Sequence, residues 1–392
     1  MQKKLFISLL ILTLALCWGC TPKKNDLSEA GYIEVVPPKY DGAEKFSEGM
    51  AAVCLGDKWG YIDTSGREVT PLKYDFFGTK DFSEGMAAVK LDDKWGFIDK
   101  TGNEIIPLKY DYAESFSEGL AKVVRGEKCG FIDKAGNEII SLKYDFVESF
   151  SEGLAAVCLG DKWGFVDTSG GEVIPLKYDY RGVYGFSEGM AAVKLGEKYG
   201  FIDKNGREDI PLKYGSAHDF SEGLAAVGMA ATEYSFGPKW GFIDTSGREV
   251  VLPKYDYVAD FSGGMALVIL DNGGVGYIDT AGNEVIPQKY DLRQEGEGNF
   301  CEGFAIVMLH DKGFGFIDKN GNEVVPLKYD DARDFSAGFA PVRLDEKWGF
   351  IDTIGRLVVP FVYDQALSFS EGLAVVWLDN KMGYIAIKDT AK

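Results

Sequence analysis

An apolar–polar alternation that restarts every thirty-odd residues dominates the chain. In Met50-Ala51-Ala52-Val53-Cys54-Leu55, the position of Val53 is valine in every copy down to Val376, while the position of Cys54 also takes Lys90, Lys194 and Arg343. An invariant apolar column beside a tolerant one predicts a β-strand with one buried face. A Gly-Asp-Lys turn and then Trp59-Gly60-Tyr61-Ile62-Asp63 follow, so the two runs predict a hairpin. Glycine next to the tryptophan predicts a bulge or a close backbone approach. Asp63-Thr64-Ser65-Gly66 reads as a turn with its acceptor first and glycine fourth. Glu68-Val69-Thr70-Pro71 reads as a short third strand, which its proline excludes from a central ladder position. No segment sustains a helical period.

The unit occurs ten times. Its Phe-Ser-Glu-Gly block recurs from Phe46 to Phe369 at spacings of 34 to 41 residues, the longest following from insertions such as Ala230 to Pro238. The Trp-Gly pair is intact at Trp59, Trp95, Trp163, Trp240 and Trp348; Cys129, Tyr199, Val275, Phe314 and Met382 replace the tryptophan elsewhere, each still followed by glycine. This pattern resembles the WG (KWG) repeat family over residues 32–388. The resemblance implies an all-β tandem array and no particular activity. One unit has too little apolar area to fold alone and must stack on its neighbours. The array opens with an orphan third strand, Glu34 to Tyr40, and its last unit, near Tyr384-Ile385-Ala386, lacks the turn aspartate and glycine. Such atypical ends predict an open superhelical solenoid of about ten β-hairpin or three-stranded units, capped at both ends. The alternative is a closed propeller-like ring in which the first strand completes the last unit. Ten three-stranded units exceed the usual four to eight four-stranded blades, which favours the open form.

Lys3 and Lys4 precede an apolar run, Leu5 to Leu16, too short to span a bilayer and suited to a signal sequence. Gly19-Cys20 at its end resembles a lipobox, which implies cleavage before Cys20 and lipid attachment to it. The expected division is therefore 1–19 signal peptide, 20–31 lipidated Cys20 and polar tether, 32–388 repeat array, and 389–392 tail. The expected location is the cell envelope, lipid-anchored at the outer membrane or cell surface, with a periplasmic face as the other option. The lipid anchor is the only membrane contact expected. The net charge is −19, and removal of Lys3 and Lys4 with the leader makes it −21. That charge repels phosphate backbones and anionic lipid, so nucleic acid is not an expected partner. Beyond the leader, Cys54, Cys129, Cys158 and Cys301 are scattered substitutions, spaced neither as a disulfide framework nor as a zinc site.

The recurring aspartates, Asp63 to Asp352, alternate with other oxygen-bearing residues as calcium loops do. Glycine stands fourth rather than sixth, however, and no acid stands twelfth, so the turn-capping role predicts them better. Acids and serines that recur in every unit suit a structural role, whereas a catalytic pair or triad should break the pattern. His218 and His310 are the only histidines. The chain is therefore expected to be no enzyme, with no cofactor and no metal. Candidate binding residues are the aromatics Trp59, Trp95, Trp163, Trp240 and Trp348, which grooves between units would present; the plainer reading makes them inter-repeat core. The expected function is a non-catalytic, envelope-anchored binding or scaffolding module for a protein partner. Carbohydrate or cell-wall binding through the aromatic grooves is the alternative. An enzyme of unusual type would place its cleft at Ala230 to Pro238 or Arg293 to Phe300.

Overall fold

The computed structural model describes residues 31–179, 185–229, 237–270, 273–291 and 298–388. Among these, every regular element is a strand. They form ten antiparallel sheets, one per repeat, numbered here blades 1 to 10 from the blade containing Phe46. In blade 3, for example, a two-residue strand Tyr112–Ala113 is followed by the hairpin Leu120–Arg125 and Lys128–Asp133 and by the edge strand Glu138–Tyr144. Six sheets carry four strands, so the three-strand count read from the sequence missed the short strand formed by the linker after Lys-Tyr-Asp.

The open solenoid is wrong; the chain closes into a ten-bladed β-propeller. The opening strand Tyr32–Tyr40 pairs antiparallel with Lys381–Ile387, from Tyr32↔Ile387 to Tyr40↔Met382, and so supplies the missing edge strand of blade 10. The atypical ends are two halves of one blade. The physical reason is that each blade has two apolar faces where one was expected. Met50, Ala52 and Cys54 pack with Phe82, Ala87 and Val89 of blade 2. Ala51, Val53 and Ile62 face the other way, onto Leu373, Val375 and Tyr384 of blade 10. An open stack would leave one such face wet at each end, and closure removes both from water.

The seams repeat one aromatic contact. The Phe of each Phe-Ser-Glu-Gly block sits edge-on against the ring that follows Trp-Gly in the preceding blade. Tyr61 and Phe82 lie 4.9 Å apart, and the series closes with Tyr384 and Phe46, also at 4.9 Å.

The glycine of Trp-Gly has the predicted cause. A Cβ on Gly96 would stand 2.5 Å from the Ile106 carbonyl oxygen, because the edge strand crosses directly over it. The ladder jumps at the same place, from Phe97↔Ile106 to Trp95↔Tyr110, and Pro107 lies in the irregular stretch at the sheet edge. Proline there withholds a donor from edge-to-edge pairing.

Candidate functional site

Most of the recurring polar residues are consumed in holding blades together. Ser47 Oγ donates to the Phe82 carbonyl at 2.8 Å, and equivalent bonds run round the ring until Ser370 donates to Phe46 at 2.8 Å. At blade 8 the thiol of Cys301 takes over this role toward Phe335 at 3.2 Å. The glutamate of Phe-Ser-Glu-Gly accepts from backbone amides of the next blade. Glu48 accepts from Glu84 and Gly85 at 2.6 and 2.9 Å, and Glu371 closes the circuit onto Glu48 and Gly49, both at 2.7 Å. Lys100 joins the first clamp, 3.0 Å from Glu48. Burial raises the Glu48 pKa, but Lys100 and the two amides outweigh it and hold the carboxyl below its ordinary value. A third link pairs the lysine before Trp-Gly with the aspartate of Lys-Tyr-Asp, as in Lys94–Asp111 at 2.6 Å, and Lys381–Asp41 at 2.6 Å ties the chain ends together.

The turn aspartates cap their own turns. Asp99 Oδ1 accepts from the amides of Thr101 at 2.8 Å and Asn103 at 2.9 Å. The Ser65 hydroxyl, with Arg67 and local amides, holds Asp63 down to about 2 against a smaller burial effect. Trp59, Trp95, Trp163 and Trp348 lie buried in the seams between blades. Trp240 is half-buried. Cys54, Cys129 and Cys158 are buried and Cys301 is half-buried, all as free thiols. His310 sits exposed in a hairpin turn, where its amide donates to Asp291 at 2.6 Å. Cys20 and residues 1–19 lie outside the described residues, as do most of the two irregular segments, 230–236 and 292–297.

Residues that break the repeat gather elsewhere. A cavity of about 500 Å³ is lined by Lys45, Asn299, Asp334 and Ser368, each the residue just before a block phenylalanine, in blades 1, 8, 9 and 10. One column from four blades can share a cavity only where blades converge, so this column faces the ring interior. The wall also includes Met308 and Phe314, giving an apolar floor beneath a charged rim. The preceding column sets cations over the indoles: Arg333 lies 5.2 Å from the Trp348 ring and Lys80 5.8 Å from Trp95. In blade 6 that position is His218, its ring tilted 54° against the Trp240 ring at 4.7 Å, with Nδ1 2.8 Å from Asp260 Oδ1. The adjacent Asp219 is pushed up to about 6 by burial and then by the Asp260 charge, against a smaller pull from His218. In the sequence this interior column carries no apolar signal and is marked only as the variable position directly before a nearly constant block.

A closed ring of ten sheets, ten seams and a variable interior column define a β-propeller repeat protein. The chain belongs to the family described as WG containing repeat, whose model matches ten successive segments from 34–59 to 348–381. No curated protein matches it. Among solved structures it is similar to the eukaryotic initiation factor, at 12% identity and a TM-score of 0.45, over 85% of this chain and 88% of that one. It is also similar to BamB from Moraxella catarrhalis, at 10% identity and a TM-score of 0.36, over 81% and 95% of the two chains. The computationally designed Ika8 protein aligns at 12% identity with a TM-score of 0.34, over 70% of this chain and 95% of that one.

Proposed function

We propose that the ring is a non-catalytic binding or scaffolding module, tethered to the cell envelope through Cys20, whose partner is a protein. The observation that carries this is the division of labour among columns. The repeated serines, glutamates, aspartates and most tryptophans are committed to seams and turns. The variable interior column instead borders a cavity of about 500 Å³ with an apolar floor and a rim of both charges. A pocket of that size and mixed lining suits an inserted side-chain cluster or loop of a polypeptide.

The test is capture from the native envelope with the soluble chain from Thr21 onward, beside the variant Asn299→Trp, which obstructs the cavity from a half-buried position. The expected result is a protein retained by the unaltered chain and lost with the variant at unchanged melting temperature. Retention on peptidoglycan or polysaccharide alone, or capture indifferent to the variant, contradicts the reading. Tethering is checked by metabolic lipid labelling, which Cys20→Ser should abolish.

A further inference from the structure

Two blades lack the glutamate of the inter-blade clamp. Blade 7 has Gly263 and blade 9 has Ala337 at that position. Each absence leaves the two amides that the carboxylate would cap in the next blade: Glu302 and Gly303 after Gly263, Glu371 and Gly372 after Ala337. Neither pair has an acceptor among the described residues, whereas the equivalent amides of Ala337 and Gly338 are held by Glu302 at 2.8 and 2.9 Å.

The two gaps differ in one charge. The clamp lysine comes from the residue after the turn aspartate in the following blade, as Lys100, Lys134 and Lys204 show toward Glu48, Glu84 and Glu152 at 3.0, 3.0 and 3.1 Å. At the first gap that lysine, Lys319, is retained. Its ammonium nitrogen and Cε both lie 3.5 Å from where a Gly263 Cβ would be, with no carboxylate partner among the described residues. At the second gap the same position is Ile387. The first gap therefore keeps every donor of the clamp and lacks only the acceptor.

We propose that the Gly263 gap is a binding site for a carboxylate from outside the chain, held by the Glu302 and Gly303 amides and by Lys319. Successive amides presented by a turn of left-handed residues form an anion-binding concavity. Glu302 and Gly303 supply that turn, at φ 51° and 87°. In all eight glutamate clamps the carboxylate takes the amide of the next blade's glycine, and at Glu48, Glu84 and Glu152 a lysine joins it, so these donors hold a carboxylate elsewhere in the ring. The ligand class is an acidic side chain or chain terminus of a protein, or a free small carboxylate. The site lies on the inter-blade turns and stands independently of the interior cavity, so an unaffected Asn299→Trp variant would not weaken it.

The probe is acetate, titrated against chloride at constant ionic strength while the backbone amide resonances of Glu302 and Gly303 are followed. A blocked glutamyl peptide and free glutarate then separate the two sources. The expected result is saturable shifts at Glu302 and Gly303 and none at Glu371 and Gly372. Lys319→Ala should weaken binding at least about threefold, in line with the loss of one charge-assisted contact. Gly263→Glu should abolish it by supplying the internal carboxylate, with the melting temperature unchanged or raised. Equal response at both gaps, no saturable response at the first, or binding that survives Gly263→Glu would overturn the proposal.

Discussion

The seam between blades 2 and 3 and the seam between blades 7 and 8 use the same column positions and spend them differently. In the first, Ser83 reaches the Phe116 carbonyl at 2.7 Å, Glu84 holds the Gly119 amide at 3.0 Å and Lys134 at 3.0 Å, and Lys94 pairs with Asp111 at 2.6 Å. In the second, Ser262 still reaches Phe300 at 2.8 Å and Tyr277 still meets the Phe300 ring at 5.1 Å. The glutamate has become Gly263, and the lysine before the Trp-Gly position has become Gly274. The apolar contact and the serine link survive where the charged links do not. Seam integrity thus rests on burial and the phenylalanine contact, and charged clamps can be released one at a time for other uses.

The largest loss follows from removing what both seams presuppose, the closed ring. Deleting residues 31–40 strips blade 10 of its edge strand and exposes the faces that buried Tyr32, Val36 and Tyr40 covered. At about 1.5–3 kcal/mol for each such side chain, the loss should reach several kcal/mol and appear in thermal unfolding as a large drop in melting temperature. Next in size is the seam core. Trp95→Ala should cost about 3–5 kcal/mol, as a fully packed indole does, and the half-buried Trp240→Ala clearly less, measured by denaturant unfolding. Equal losses would mean that the regular and irregular arcs are packed alike.

A single clamp is smaller still. Glu84→Gln should cost about 1 kcal/mol, because its bonds are charge-assisted but partly exposed. Ala337→Glu should recover stability, since it supplies a carboxylate to Glu371 and Gly372; Ala337 already holds the left-handed φ of 53° that glutamate adopts in the intact blades.

The acid response separates two opposite contributions. Asp63, Asp99 and Asp244 are held at about 2 in the fold against an ordinary 3.8, led by the Ser65, Thr101 and Ser246 hydroxyls respectively. Their contribution is complete above about pH 4 and drains as pH falls toward about 2. Asp219 acts oppositely. Its raised value of about 6 means that its ionised form opposes folding, so stability declines as pH rises from about 4 to 6. Asp219→Asn should remove that decline, as read from denaturation midpoints across this range.

Much of this was legible in the chain. Period, hairpins, turn caps, the edge proline and the role of the Trp-Gly glycine all follow from residues that recur at fixed offsets. The matching ends allowed a closed ring as the alternative, but the choice went to the open form because the column of Cys54, Lys90 and Lys194 looks solvent-facing when polar residues are accepted there. The structure shows Cys54 buried and the Lys90 side chain only 25% exposed, its stem packed in a seam while its ammonium reaches Asp93 at 2.9 Å. With two apolar faces per blade, the orphan first strand becomes a partner for the last. The interior cavity was also hidden, since variation in a linker column carries no signal until the fold turns that column inward.

Closure is tested most directly by joining the two strands that make it. Ile33 and Ala386 are register partners between the opening and closing strands. In the double variant Ile33→Cys, Ala386→Cys, mild oxidation should yield an intramolecular disulfide in the folded monomer, detected by peptide mapping and absent from either single variant. A monomer in which the two thiols remain unjoined, or bridge only between molecules, would contradict a closed ring.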